Sequence, residues 1–279
     1  MKGSLSLQFN WIFVILVGMA LLGILFVQSQ QATQKARYEA DLQLRESLQG
    51  MLSSSSTNNH KEINLGLVSV LNDCEESGSN LYIGSGRVPI ETSYYALHAP
   101  KRISSRTLHL QKIGDTNLLT GEDHVYLFVN DYDAILDVYN LFEGRKQLID
   151  REQIGSYPPT GSSLKYTMVF YFPNYNPQTD VIEYNTEVDY NFNIVIISPS
   201  ETGGRDVVYF RSRVRQTESD PVDFLDNGEL LGAIVDADYE LYNCLHNKRL
   251  EREKVRIDLL TKKKILMTDR VSEFCSNLM

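Results

Sequence analysis

The 279-residue chain has only three cysteines, Cys74, Cys244 and Cys275, and no two of them form a C-x-x-C pair. A disulfide-dense small scaffold and a thiolate zinc site are therefore excluded as organising principles. Glycine (17) and proline (8) are too sparse for a collagen-like or low-complexity chain, and 42% hydrophobic residues supply enough apolar material for a packed core. Basic residues are outnumbered, 27 against 36, for a net charge of −9, so no electrostatic footprint for nucleic acid exists over the chain as a whole. Missing as well are G-x-x-x-x-G-K-[ST], H-E-x-x-H and G-x-S-x-G, which removes the commonest nucleotide-hydrolase, metalloprotease and hydrolase signatures. No Asn-x-Ser/Thr acceptor is found.

Charge is absent where it matters most, at the start. From Trp11 to Val27 there are 17 consecutive residues without a polar side chain, and Phe9 extends the run with Asn10 as the sole interruption. About 20 such residues cross a bilayer, whereas the apolar region of a cleaved secretory signal spans about 7–15 and ends in a small-x-small site. A single transmembrane helix is expected. Lys2 and the amino terminus before it, with Lys35 and Arg37 after it offset by Glu39 and Asp41, place the N-terminus on the cytoplasmic side and the body outside. Helix formers continue to Leu52 without a proline, and Ala32, Ala36, Ala40, Leu44, Leu48 and Leu52 recur every fourth residue as a narrow apolar stripe. Residues 1–52 thus read as a membrane helix with an amphipathic extension.

Lys2-Gly3-Ser4-Leu5-Ser6-Leu7-Gln8-Phe9, running into the apolar stretch, resembles the class III signal peptide of archaeal type IV pilin-like proteins. It is also similar to the start of uncharacterised membrane-anchored proteins of small-genome archaea. The resemblance covers about 50 residues and implies that a prepilin peptidase cuts after Gly3, that Ser4 becomes the mature N-terminus, and that Ser6 matches the family's third-position serine. It also implies association with other subunits through the helix. Gln8 departs from the pattern, because major pilins carry Glu there and an amide supplies no charge to a neighbour's amine. A minor pilin, or an anchored relative that does not polymerise, fits that departure.

Ser53-Ser54-Ser55-Ser56-Thr57-Asn58-Asn59 opens a linker, residues 53–61. Beyond it, short strand-like runs (Glu62 to Leu71, Asn80 to Ile83, Tyr94 to His98, Thr107 to Gln111) describe a β-rich subdomain over 62–123, with Gly84-Ser85-Gly86 as a turn. Residues 124–279 read as a mixed α/β subdomain. Val125 to Val129 is a continuous apolar run of the sort buried on both sheet faces, followed by a helix carrying Ala134, Ile135, Val138, Tyr139, Leu141 and Phe142. Further strands are expected at Tyr166 to Phe172, Phe192 to Ile197, Val207 to Val214 and Leu230 to Val235, then a helix from Tyr239 to Met267 and a short last one from Asp269. The expected class is α+β, with a mixed sheet and C-terminal helices.

Few residues suggest chemistry. Ser162-Ser163-Leu164-Lys165 satisfies S-x-x-K but enters a strand. Asp131-Tyr132-Asp133 and Asp236-Ala237-Asp238 resemble D-x-D cation sites, yet Asp in a first helical turn is explained by capping. The five histidines, His60, His98, His109, His124 and His246, show no ligand spacing, and Cys244 and His246, two apart on a helix, face different ways. No catalytic residue, cofactor or metal ligand is assigned, and a non-enzymatic protein is expected, with a membrane-tethered metal-dependent enzyme using Asp131/Asp133 or Asp236/Asp238 as the lesser alternative. In an oxidising exterior Cys244 and Cys275 are the first pairing to consider, with Cys74 bonded to either one, or three free thiols, as alternatives. Residues 248–264 hold eight Lys or Arg against three Asp or Glu, a local +5 that leaves −14 elsewhere. Interspersed Glu251, Glu253 and Asp258 argue against nucleic acid and leave a solvated helix or a contact for another protein.

Overall fold

The computed structural model describes residues 4–53, 60–75, 78–84, 88–91, 96–129, 133–156, 163–180, 182, 192–200, 204–211 and 218–276. Lys2 and Gly3 of the pilin-like start and Asp131 of the first D-x-D lie outside them, and for Ser4, Ser6, Gln8 and Cys275 only the backbone is described. The architecture is α+β: one long N-terminal helix, two six-stranded sheets, and two consecutive C-terminal helices.

Helix α1, Ser4–Ser53, is continuous over 50 residues, about 75 Å at 1.5 Å per residue. Among the described residues it is the one helix long and apolar enough to cross a membrane, which is consistent with a membrane or signal-anchor segment. The apolar side chains from Trp11 to Val27 lie exposed: Trp11 is 66% exposed and Phe13 and Leu22 are 68% exposed. Only the last turns are seated. Leu44 and Leu48 are buried in a cluster with Ile63, Val70, Leu81, Ile83, Leu97, Ile103, Leu108 and Leu119, the inner face of the first sheet. The every-fourth-residue stripe thus has two fates, since Leu44 and Leu48 pack while Ala32, Ala36 and Ala40 stay bare.

That sheet runs β3-β2-β1-β5-β6-β4 and is antiparallel except where β4 meets β6. Its strands are β1 (Lys61–Glu75), β2 (Gly78–Ile83), β3 (Val88–Glu91), β4 (Ala96–His98), β5 (Arg102–Ile113) and β6 (Thr116–Gly121). Gly84, which ends β2, has φ +67°, and a Cβ built there would collide with the Asp41 carboxylate of α1. The left-handed backbone favours glycine, and the Asp41 carboxylate would have to move to admit a Cβ. Gly84→Ala is expected to lower thermal stability by about 1–3 kcal/mol, with protease cleavage within residues 28–53 accelerated before the body unfolds. Equal cleavage rates in both proteins would separate Gly84 from helix seating.

The second sheet runs β12-β11-β10-β9-β7-β8, parallel from β8 to β10 and antiparallel thereafter. It comprises β7 (His124–Val129), β8 (Lys146–Ile149), β9 (Lys165–Tyr171), β10 (Phe192–Ser198), β11 (Val207–Arg211) and β12 (Val222–Asp223), with α2 (Asp133–Leu141) crossing from β7 to β8. Both faces are covered. Val125, Leu127 and Val129 point into one cluster with Met168, Phe170, Ile194 and Ile196; Tyr126 and Phe128 point into the other with Ile135, Phe142, Val169 and Val195. All six residues of β7 are buried, as the continuous apolar run demands.

Three expectations are corrected. Leu230 to Val235 is no strand: it lies within helix α3, Asn227–Asp236, every residue of which from Gly228 to Asp236 is buried. The helix packs against both sheets and its middle, Leu230 to Val235, holds no polar side chain, so it loses the 3.6-residue signature that would distinguish it from a buried strand. The last helix is not broken at Asp269, because α4 runs unbroken from Tyr239 to Ser276. That continuity overturns the Cys244–Cys275 pairing, since 31 residues on one helix separate the two by about 47 Å. Cys244 is bonded instead to Cys74, on β1, with Cα atoms 6.2 Å apart.

Candidate functional site

The densest polar chemistry lies where α3, α4 and β4 meet, and it begins with capping. Asp226 accepts from the Glu229 backbone N–H at 2.9 Å, and the Glu229 carboxylate turns back to accept from Leu225 N–H at 2.6 Å. These two bonds, a capping box whose return bond reaches one residue before the N-cap, open α3. At its other end Ala237 takes a left-handed conformation, φ 47°, and Asp238 accepts from Leu241 N–H to start α4. The turn is short because one residue ends one helix and the next caps the following one.

Two buried carboxylate–imidazole pairs sit at the two ends of α3. His98 Nδ1 is 2.7 Å from Asp236 Oδ2, while Asp236 Oδ1 accepts from Ala99 N–H at 3.0 Å. His246 Nδ1 is 2.8 Å from Glu229 Oε1. Tyr242 stands between the imidazoles, 6.0 Å from each ring, and its hydroxyl donates to the Asp223 carbonyl. Glycine makes the geometry possible: a Cβ on Gly232 would fall 2.6 Å from the His98 ring, and one on Gly228 would fall 2.9 Å from the Ile113 carbonyl oxygen. The Gly228/Gly232 face lets α3 lie directly on β4 and β6.

Burial pushes the Asp236 carboxyl above its ordinary range, and the neighbouring Asp238 adds to that, against the stabilising His98 contacts and Ala99 N–H. The Tyr242 hydroxyl is pushed far up by burial, with Glu229 and Asp236 adding to it, so it serves as a hydrogen-bond donor and not as an acid. His98, 1% exposed, offers no open face to a substrate. The nearest cavity, about 330 Å³, lies beside Asp236 and is lined in part by Lys101, Arg102, His124, Lys165 and Asp238. Two of its polar side chains are already engaged, since Asp123 is 3.0 Å from His124 Nδ1 and 3.3 Å from Lys165 Nζ.

Taken together, these bonds rivet the base of α4. Tyr242 ties to Asp223, Cys244 to Cys74, His246 to Glu229 and Arg249 to Asp226, within about two turns of one another. The arrangement is a clamp.

Acid should loosen its periphery. Burial raises Asp123, but the His124 hydrogen bond and charge, Ser104 N–H and Lys165 outweigh it; burial likewise raises Asp226, but Arg249 and backbone N–H groups outweigh it. Both carboxyls end below their ordinary value of 3.8, so the stability they contribute is complete above that value and is lost as pH falls through their lower folded values. Asp123→Asn should flatten the loss below pH ~4 in acid titrations of the thermal midpoint. An unchanged acid limb would remove Asp123 from the account.

The sequence candidates are dispersed by the fold. Asp238 is a cap and Asp236 a histidine partner, so the second D-x-D does not converge on a cation, and Asp133 lies in the first turn of α2. Among the described residues no group of three His, Cys, Asp or Glu is placed to hold a metal. Lys165 of the S-x-x-K run opens β9 and bonds to Asp123 and the Arg102 carbonyl. His60 and His109 stack with rings 5.4 Å apart, a contact between residues 49 positions apart that spacing did not announce. The His98–Asp236 and His246–Glu229 pairs were also missed; Asp226-x-x-Glu229 was the available signal for the second. No family model, no curated protein and no solved structure matches the chain.

Proposed function

We propose that this protein is a non-enzymatic, single-pass, membrane-anchored surface subunit of the pilin-like kind, N-terminus cytoplasmic and body extracytoplasmic. The observation that carries the reading is α1: unbroken over 50 residues, exposed along its apolar run from Trp11 to Val27, and joined by Leu44 and Leu48 to the first sheet. An apolar helix so exposed requires either lipid or other copies of itself around it. The Cys74–Cys244 bond supports the assignment of the body to an oxidising exterior. Cleavage after Gly3 would release Ser4 as the mature terminus, and the basic segment 248–264 is the surface offered to a protein partner. Mass analysis of the protein isolated from its native cells tests the processing step: a terminus at Ser4 supports it, while an intact Met1 or a cut near Gln28 removes it. Protease treatment of intact cells should degrade the body; full protection would reverse the orientation.

Gln8 favours a second reading, an anchored adaptor that never polymerises, because an amide in an apolar filament interior cannot neutralise a neighbour's amine. Labelling surface filaments for this chain separates the two. Labelled filaments support the subunit, and label confined to the cell envelope supports the adaptor.

A further inference from the structure

Beyond its riveted base, α4 leaves the body. From Val255 to Lys264 every side chain is exposed, and Val255 (59%), Ile257 (61%), Leu259 (61%) and Leu260 (56%) are apolar residues in open solvent on a soluble part of the chain. Exposed apolar residues so concentrated mark an interaction surface.

Winding the helix at 3.6 residues per turn sorts these side chains. Ile257 and Leu260 begin a seam that the sequence continues at Lys264, Met267, Val271 and Phe274, a 3-4 spacing of the coiled-coil type that is apolar except at Lys264. Val255 and Leu259 begin a second apolar row that continues at Leu266. Between the two rows run Arg252, Arg256 and Lys263, while Glu251, Asp258 and Lys262 occupy the opposite face, where Lys262 and Asp258 pair at 2.7 Å. The apolar side is therefore also the cationic side. The exception is Glu253, which is 3.4 Å from Arg256.

We propose that the exposed half of α4 docks an acidic amphipathic helix of another protein, with its apolar seam on Ile257 and Leu260 and its carboxylates along Arg256 and Lys263. Charge complementarity selects this occupant. A second copy would bring the Arg256/Lys263 flank against Lys254 and Thr261 in a parallel pair, or against itself in an antiparallel one, with no carboxylate on either flank to answer it. A lipid surface asks for the reverse order, an apolar centre with cations at its borders, whereas here a row of cations lies between two apolar rows. The four bonds at the base of α4 would hold such a docking helix in a fixed direction. This inference deepens the assignment of 248–264 as a partner surface and rests on it.

The test uses the full chain in nanodiscs and two synthetic four-heptad helices, identical at their Leu/Ile seam, one flanked by Glu and the other by Lys. The Glu-flanked helix is expected to bind at least ~10-fold more tightly, with affinity falling as salt rises. R256E/K263E should reverse the order, and I257D/L260D should abolish binding while helicity and the Cys74–Cys244 bond are retained. Equal binding of both helices would leave the docking face standing and overturn the acidic partner; binding of neither would remove both. Slowed hydrogen exchange over 251–264 in anionic but not zwitterionic nanodiscs, without peptide preference, would give the face to lipid. Self-association lost in I257D/L260D would give it to a second copy.

Discussion

Reducing the Cys74–Cys244 bond, or replacing Cys74 with Ser, is expected to lower stability by about 3–5 kcal/mol, among the largest losses any single change in this protein produces. The bond joins residues 170 positions apart, so its loss frees the unfolded chain from a long closed loop. It also joins β1 to α4, the first strand of the body to its last helix. Once it is cut, α4 is held at its base by the Tyr242, His246 and Arg249 contacts and by the burial of Leu241 and Leu245. Thermal unfolding of the full chain with and without reductant measures the effect. Thiol labelling of the unfolded, unreduced protein should find one reactive cysteine, Cys275. Three labelled thiols, or coincident melting curves, would contradict the bond as a feature of the folded protein.

The same bond marks where sequence reasoning stops. Pairing Cys244 with Cys275 presupposed a break near Asp269, yet no residue from Tyr239 to Ser276 is a proline or a glycine and the helix continues. Thr268 and Asp269, where the expected break falls, lie within the continuous helix. Composition made the cysteines available as partners; topology alone brought β1 beneath α4.

Elements with a distinctive run of residue types were legible, whether exposed like α1 or buried like β7, and those without one were not. The apolar start yielded α1 almost to the residue, and β7, β9 and β10 fall where branched and aromatic runs place them. Helix α3 failed because contacts with both sheets erased its periodicity, although Asp226 and Glu229 carried the capping signal three residues apart. Strand β6, Thr116–Gly121, went unread for a related reason: its polar Thr116, Asn117 and Thr120 are all buried against α3 and neighbouring strands, where a surface loop would be expected to hold them. Of the clamp, nothing in sequence links His98 to Asp236, since the pair is 138 residues apart and each looks ordinary alone.

That pair carries the other large effect. His98→Ala is expected to cost about 3–5 kcal/mol at neutral pH, because it leaves the Asp236 carboxylate buried with only Ala99 N–H as a partner. The pH dependence separates this from simple loss of packing. Burial already raises the Asp236 carboxyl above its ordinary 3.8, so the folded state holds its proton to higher pH than the unfolded chain does. A group shifted in that direction favours the fold as pH falls towards the ordinary value and disfavours it as pH rises, opposite in sign to Asp123 and Asp226. Removing His98 takes away the counter-charge that limits the shift, so the variant's deficit should shrink steadily from pH 7 towards pH ~4. Asp236→Ala should cost a similar amount by stranding His98 Nδ1 and Ala99 N–H, but without that recovery, and the double variant should be less damaging than the sum of the two. Equilibrium unfolding of the three variants at pH 4 and pH 7 measures all of this. A pH-independent deficit in His98→Ala would mean that the imidazole contributes shape to the junction of α3 with β4, and that the carboxylate beneath it bears no charge worth compensating.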